Sequence, residues 1–270
     1  MFFRPTPNVS IIIPAMNEAD NLRQLLPTLP EVHEVVLIDG NSTDGTVDVA
    51  REVMPDITVV KQTRRGKGNA LACGFAAATG DILVMFDADG SADPAEIPRF
   101  VDALLAGADF AKGSRFVEGG GSHDITRIRD LGNRGLNLVG NLAYRTHFTD
   151  LCYGYNAFWR DLLPVLDLPP VDARAEEGTM LWGDGFEIES LIFCRMSAAG
   201  VVTTEVPSVE RERTFGVSNL NAISDGTRVL RTLITERQRT LRRRPEVANV
   251  GMRWMRRVTA LSREASQKAA

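Results

Sequence analysis

The feature that most constrains this chain is a series of short β-branched segments, each ending in a polar cluster and each followed by a helical pattern. VSIII at 9–13, VVLI at 35–38, ITVV at 57–60 and ILVMF at 82–86 are short, mainly apolar runs. Runs of this length suit strands buried on both faces. Helical patterns fill the intervals at 18–29, 45–54 and 68–78. Strands alternating with helices need right-handed crossovers, which predicts an α/β fold: a mainly parallel central sheet with helices on both faces. In such sheets the carboxyl ends of the strands form the ligand crevice. The polar clusters fall there, at 14–18, 39–44 and 87–93.

Further along, the pattern predicts a helix at 95–106, a strand at 109–113, a glycine-rich loop at 119–121 and a helix at 128–144. A Pro/Asp-rich loop at 166–177, a helix at 185–199, a strand at 201–206 and C-terminal helices follow. The one boundary lies near residue 215, dividing an α/β domain, 1–215, from a basic helical extension, 216–270, packed on or next to it. Net charge is −4, yet residues 228–257 hold ten arginines against Glu236 and Glu246. The body is therefore acidic, which argues against nucleic acid as a partner, while the basic end suits an anionic surface. A solvated helix, a helix packed on the sheet, a peripheral membrane contact and a homodimer contact all stay open for that end. Cys73, Cys152 and Cys194 form no CxxC pair, so neither zinc nor a disulfide framework is expected, and a cytoplasmic location is the simplest. No apolar run is long enough to span a bilayer. The expectation is a cytoplasmic protein, soluble or peripheral at the inner face of the membrane.

Three motifs carry chemistry. FDADG, residues 86–90, stands where a buried strand meets a loop, and carboxylates at i and i+2 can chelate one Mg²⁺ or Mn²⁺ whose other positions go to substrate phosphates. IDGNSTDGT, residues 38–46, puts Asp39 at a strand end, where it can accept a hydrogen bond from a nucleobase, and leaves Asp44 to the turn. RRGKGNA, residues 64–70, opens a helix with glycines around Lys67; it lacks ATPase P-loop spacing, yet a helix N-terminus and a lysine suit a diphosphate.

In this order the motifs resemble those of the family-two inverting glycosyltransferases of GT-A fold, which move a sugar from a nucleotide diphosphate to an acceptor. SIIIPAMNE resembles their opening strand and base-binding segment, which implicates Pro14, Ala15, Asn17 and Glu18 in donor binding with Asp39, Lys67, Asp87, Ala88 and Asp89. IDGNSTDGT resembles VDDGSTDGT, with Gly40 replacing the second aspartate. Within the family, KGSRFVEGGG at 112–121, RIRDLGNRGLN at 127–137, TDLCYGYNAFWR at 149–160 and RTFGVSN at 213–219 resemble the polyprenyl-phosphate (dolichol-phosphate) mannose and glucose synthases. That resemblance implies a polyprenyl phosphate acceptor, met at the membrane surface through the helix at 136–144 and the basic tail, UDP-glucose or GDP-mannose as donor, and Arg115, Arg129, Arg134, Arg213 and Ser218 at the acceptor. Asn219 stands where those relatives carry a lysine.

Arginines from separate loops, Arg115, Arg129 and Arg213, could hold an acceptor phosphate by bidentate bonds. A phosphate is already an anion and needs no strong general base. WGDGFEIE, residues 182–189, opens the alternative of a soluble hydroxyl acceptor with Asp184 as base; Asp184 could equally cap a helix, and Glu187 or Glu189 could line the donor pocket. The glycine loop could close over the site. His33, His123 and His147 read as structural or surface residues.

Overall fold

A computed structural model describes residues 7–176, 179–216, 222–242 and Arg257. The four apolar runs are strands β1 (Val9–Ala15), β2 (Glu34–Asp39), β3 (Thr58–Lys61) and β4 (Ile82–Met85). Between them lie α1 (Ala19–Leu25), α2 (Thr46–Val53) and α3 (Lys67–Ala77). Then come α4 (Ile97–Leu105), β5 (Phe110–Ser114), β6 (Gly121–Ser122), α5 (Arg127–Tyr144) and β7 (Asn156–Trp159). The chain continues through α6 (Leu163–Leu166), α7 (Ile188–Ala198), β8 (Thr203–Pro207), β9 (Val209–Glu210) and α8 (Ala222–Arg242).

The main sheet has the order β3-β2-β1-β4-β7-β5-β8. It is parallel except for β7, which runs against both neighbours. That strand was not anticipated from sequence: its four residues, NAFW, are too few for a periodic signal, and all four are buried. Side chains alternate across β1, so Ile11 and Ile13 pack with Leu22, Ala50 and Phe100, while Ile12 packs with Leu71, Phe75 and Leu191 on the other face. Strand order reverses between β1 and β4, and the crevice at their carboxyl ends receives the first and last polar clusters.

Of the 216–270 extension, α8 and Arg257 are described. The alternative that α8 lies on the sheet is corrected: it packs against α5 and α7, with Leu233 buried beside Phe193, Tyr144 and Leu151. The layer of helices already covering that face of the sheet leaves α8 only an outer position. Its anchor is buried and ionic, since Arg195 on α7 donates to both oxygens of Glu236 at 2.9 Å and the Trp182 indole donates to the same carboxylate at 2.7 Å. Arg257 pairs with Asp161 and Asp109 at the opposite end of the sheet from the crevice. No described helix is long and apolar enough to cross a membrane.

Removing one partner of a buried ion pair leaves an uncompensated charge. Glu236→Ala is therefore expected to cost about 3–5 kcal/mol in urea unfolding, with a change in Trp182 fluorescence in the folded state. A cost below about 1 kcal/mol would place the pair among exposed surface bridges.

Candidate active site

Phe86, fully buried, still pairs its N–H with Ile12 before the chain turns outward, so Asp87 and Asp89 emerge at the mouth of the crevice with the buried Ala88 between them. One oxygen of Asp89 accepts from the Ser91 N–H at 3.0 Å and its hydroxyl at 2.7 Å, while the other lies 3.4 Å from Arg213 Nη1. Asp87 faces Lys67, whose Nζ is 2.8 Å from Oδ1 and 3.0 Å from Oδ2. The same ammonium donates to Glu189 Oε1 at 2.6 Å. Burial alone would lower the Lys67 pKa, but Asp87 and Glu189 outweigh it and hold the value above that of an ordinary lysine, so Lys67 is a fixed cation. The side chains of Asp87 and Asp89 keep 37% and 25% of their surface exposed, enough to offer oxygens to a hard cation. Among the described residues no group of three or more Asp, Glu, His or Cys is arranged to hold a metal. Two carboxylates with open oxygens suit a divalent ion whose remaining positions substrate oxygens would fill.

Around this centre the loops are tied together. Asn17, at φ 59°, takes the Thr43 N–H on its side-chain oxygen at 2.8 Å and gives its own N–H to Ser42 Oγ at 2.9 Å. Pro14 and Ala15 pair in register with Ile38 and Asp39, so the first two polar clusters sit side by side. Asp39 is half-buried and receives the Asn41 and Ser42 N–H groups of its own turn; Asp44 receives Ala19 and Thr46, the turn-building part expected of it. A side chain at Gly40 would stand 3.0–3.2 Å from Met16 Cβ, Ala15 O and Gln62 Oε1, too close for an aspartate without rearrangement. Residues 211–216 strap across the front. Arg211 and Thr214 donate backbone N–H groups to Ser91 and Asp89, and Phe215 donates to Asn21 Oδ1. From this strap Arg213 reaches Glu18 and Asp89 together. Glu18, Lys67, Asp87, Asp89 and Arg213 thus converge, joined by Glu189.

Asp184 is placed differently from the base that the hydroxyl alternative needs. It is 1% exposed, and its two oxygens accept from Arg64 Nε and Nη2 at 2.8 and 2.9 Å. The cause is the close approach of two loops. The Asp184 carbonyl accepts the Asn69 N–H, and a Cβ on Gly66 or Gly68 would collide with the backbone of Asp184 or Gly183. The glycines flanking Lys67 therefore make room for the WGDG backbone. Glu187 turns back on its own loop, accepting from Gly183 and Gly185, which leaves Glu189 as the carboxylate beside Lys67. Sequence reasoning missed Arg64 and also Asn69, whose side-chain oxygen takes the Thr63 and Arg64 N–H groups. A lone asparagine in the apolar run GNALACGF was the available signal.

The expected acceptor arginines are each engaged by carboxylates of the protein itself. Arg115 is a correction: it is 8% exposed and spends its guanidinium on Asp150, at 2.7 and 3.0 Å, and Glu210, at 2.9 Å. Burial would favour a neutral Asp150, but the Arg115 bonds prevail and hold its carboxyl below the ordinary range. Arg129 pairs with Asp124 at 2.9 Å and keeps part of its surface open; Arg134 pairs with Asp130 on the outer side of α5. Ser218 lies outside the described residues. The glycine loop, read as a closing flap, is tethered at its far end, where β6 pairs with β9. His33 bonds Thr79.

The family model for glycosyl transferase family 2 matches residues 10–166. A polyprenol monophosphomannose synthase of Mycolicibacterium smegmatis is 34% identical over 230 residues, covering 81% of this chain and 83% of its own. A dolichol-phosphate mannosyltransferase of Pyrococcus furiosus is 32% identical over 173 residues, 60% of this chain and 49% of its own. Among solved structures, glucosyl-3-phosphoglycerate synthase of Mycobacterium tuberculosis, in complex with Mn²⁺, UDP and phosphoglyceric acid, superposes with a TM-score of 0.64 at 23% identity, covering 86% of this chain and 78% of that one. The likeness extends to the expected GT-A architecture.

If Asp184 only anchors Arg64, Asp184→Ala should cost about 3–5 kcal/mol of stability. The kcat per folded molecule should then change by less than about tenfold, short of the 10²–10⁴ that a general base supplies. Urea unfolding and active-fraction-corrected kinetics check this together. Intact stability with a loss of about a thousandfold would restore the base.

Proposed function

Because the chain belongs to glycosyl transferase family 2, we propose that it is a metal-dependent inverting transferase that moves a hexose from UDP-glucose or GDP-mannose to a polyprenyl phosphate. The observation that carries the donor half is the pairing of Asp87 and Asp89 at the end of β4 with Lys67 held against Asp87. The acceptor half draws on the relatives' acceptors and on the engagement of Asp184 by Arg64, which leaves WGDG without a free base. An acceptor that arrives as an anion needs none. The hydroxyl-acceptor alternative would need Asp184 released from Arg64, or another base.

In this reading Asp87 and Asp89 hold Mg²⁺ or Mn²⁺, which when bound supplies positive charge to the diphosphate leaving group. Lys67, charged at any physiological pH, exchanges Asp87 for a phosphate oxygen and adds a second countercharge. Asn17 fixes the opening loop against Thr43, and Asp39 presents its carboxylate edge to the base. Arg213 bridges Glu18 and Asp89 and so holds the front strap over the donor, limiting water at the anomeric carbon. Arg129 and Arg213 orient the acceptor phosphate, whose oxygen attacks that carbon opposite the departing nucleotide and inverts it. The protein works as a cytoplasmic peripheral enzyme.

The test is transfer with Mn²⁺ or Mg²⁺ from each donor to a short polyprenyl phosphate. Metal-dependent lipid-phosphate sugar is expected, with kcat/KM falling at least about a hundredfold in Asp89→Ala. Donor hydrolysis or transfer to soluble hydroxyl compounds, with no lipid product, would overturn the acceptor.

A further inference from the structure

Asn21 belongs to the first turn of α1, but its side chain works outside that helix. It is 4% exposed; Nδ2 donates to Glu18 Oε2 at 2.5 Å and to the Phe215 carbonyl at 3.3 Å, and Oδ1 accepts the Phe215 N–H at 3.0 Å. One amide thus holds both backbone groups of a residue 194 positions away, as a neighbouring strand would. Asparagine favours a helix poorly, and the strap supplies the reason for it here. On the strap's other side, Arg211 and Thr214 donate to the carbonyls of Ser91 and Asp89. Thr214 Oγ1 would stand 2.5 Å from a Cβ on Gly90, so the strap also packs closely on the loop that carries Asp89. Between these attachments the Arg213 side chain is fixed. Its Nε donates to the Phe215 carbonyl at 2.6 Å, its Nη2 pairs with Glu18 Oε1, and its Nη1 lies 3.4 Å from Asp89. The carbonyl that Asn21 holds is the one that aims the guanidinium, and the carboxylate that Asn21 holds is the one that receives it.

A guanidinium on Asp89 opposes a divalent ion there, as the Lys67 ammonium does at Asp87. A diphosphate removes the conflict, because it offers both cations another anionic partner. We propose that Asn21 is a positioning residue that latches the strap: it keeps Arg213 on Asp89 in the donor-free protein, so that a divalent ion binds tightly only with the diphosphate that draws the guanidinium away. Its action runs through Phe215 and Glu18 rather than through a contact with donor or ion. The latch rests on Asp87 and Asp89 being the ion's ligands, as proposed above, and it ties the order of binding to a residue on α1. Coupling of this kind is reciprocal, so whatever loosens Arg213 raises the affinity for the ion alone and lessens what the nucleotide adds.

The experiment uses the full chain without donor or acceptor. Trypsin cleavage after Arg211 and Arg213, with no ligand present, reads the strap; a Mn²⁺ titration without nucleotide, followed by electron paramagnetic resonance, reads Asp89. Asn21→Leu, which keeps the size of the side chain and adds no charge, should be cleaved faster in the strap. It should also bind Mn²⁺ at least about fivefold more tightly than the wild type. Phe215→Pro deletes the same N–H from an exposed position and should act alike, so the test does not depend on how α1 tolerates leucine. In an Arg213→Gln background Asn21→Leu should add nothing to the Mn²⁺ affinity, because the guanidinium through which it acts is gone. Wild-type cleavage in both variants, faster cleavage with unchanged Mn²⁺ affinity, or a gain that survives Arg213→Gln would overturn the proposal. A wild-type Mn²⁺ affinity that Asp89→Asn leaves intact would overturn the metal assignment and the proposal with it, a failure told apart by faster strap cleavage in the variants.

Discussion

Everything at the mouth of this crevice depends on a concentration of negative charge that two cations hold in place. Asp87, Asp89, Glu18 and Glu189 come from three separate segments, and carboxylates gathered this closely repel unless something positive lies between them. Lys67 lies between Asp87 and Glu189, and Arg213 lies between Glu18 and Asp89. The first pairing ties β4 to α3 and α7. The second ties the opening loop to the C-terminal strap. A divalent ion and a diphosphate entering together add charges of both signs to a site whose electrostatics already alternate, so little reorganisation is needed.

Behind this layer the scaffold uses arginine for a different purpose. Arg64 with Asp184, Arg115 with Asp150 and Glu210, and Arg195 with Glu236 are buried ties between loops and helices distant in sequence. Such pairs add little net stability over apolar packing, but breaking one is costly, and they allow few alternative arrangements. Each fixes a loop that borders the crevice: Arg64 fixes WGDG against the Lys67 helix, Arg115 fixes the 149–151 segment against β9, and Glu236 holds Trp182. The protein thus separates arginines that hold the frame from those left partly open, Arg129 and Arg213.

The strands through β4, the helices between them and the polar strand ends were legible in the sequence because mainly apolar runs and turn residues are local signals. So was the pairing of Asp87 with Asp89, which needs only two residues and a strand end. The strand β7 was not legible, since NAFW carries no periodicity and its direction is set by the neighbours it joins. Arg115 and Asp184 show the same limit at the site: an arginine after a strand and an aspartate before a helix look identical whether they face a ligand or a buried partner. Their partners lie 35 and 120 residues away, and only the fold brings them into contact. Glu187 and Glu189, two residues apart, were separated by the loop's own hydrogen bonds.

The central claim is that Asp87 and Asp89 bind a divalent cation jointly with the donor diphosphate. The most direct measurement is a Mn²⁺ titration followed by electron paramagnetic resonance, with and without UDP or GDP. The account predicts weak binding by the protein alone, markedly tighter binding when one nucleotide is present, and loss of that gain in Asp89→Asn. Nucleotide-independent binding, or a gain that survives Asp89→Asn, would contradict it.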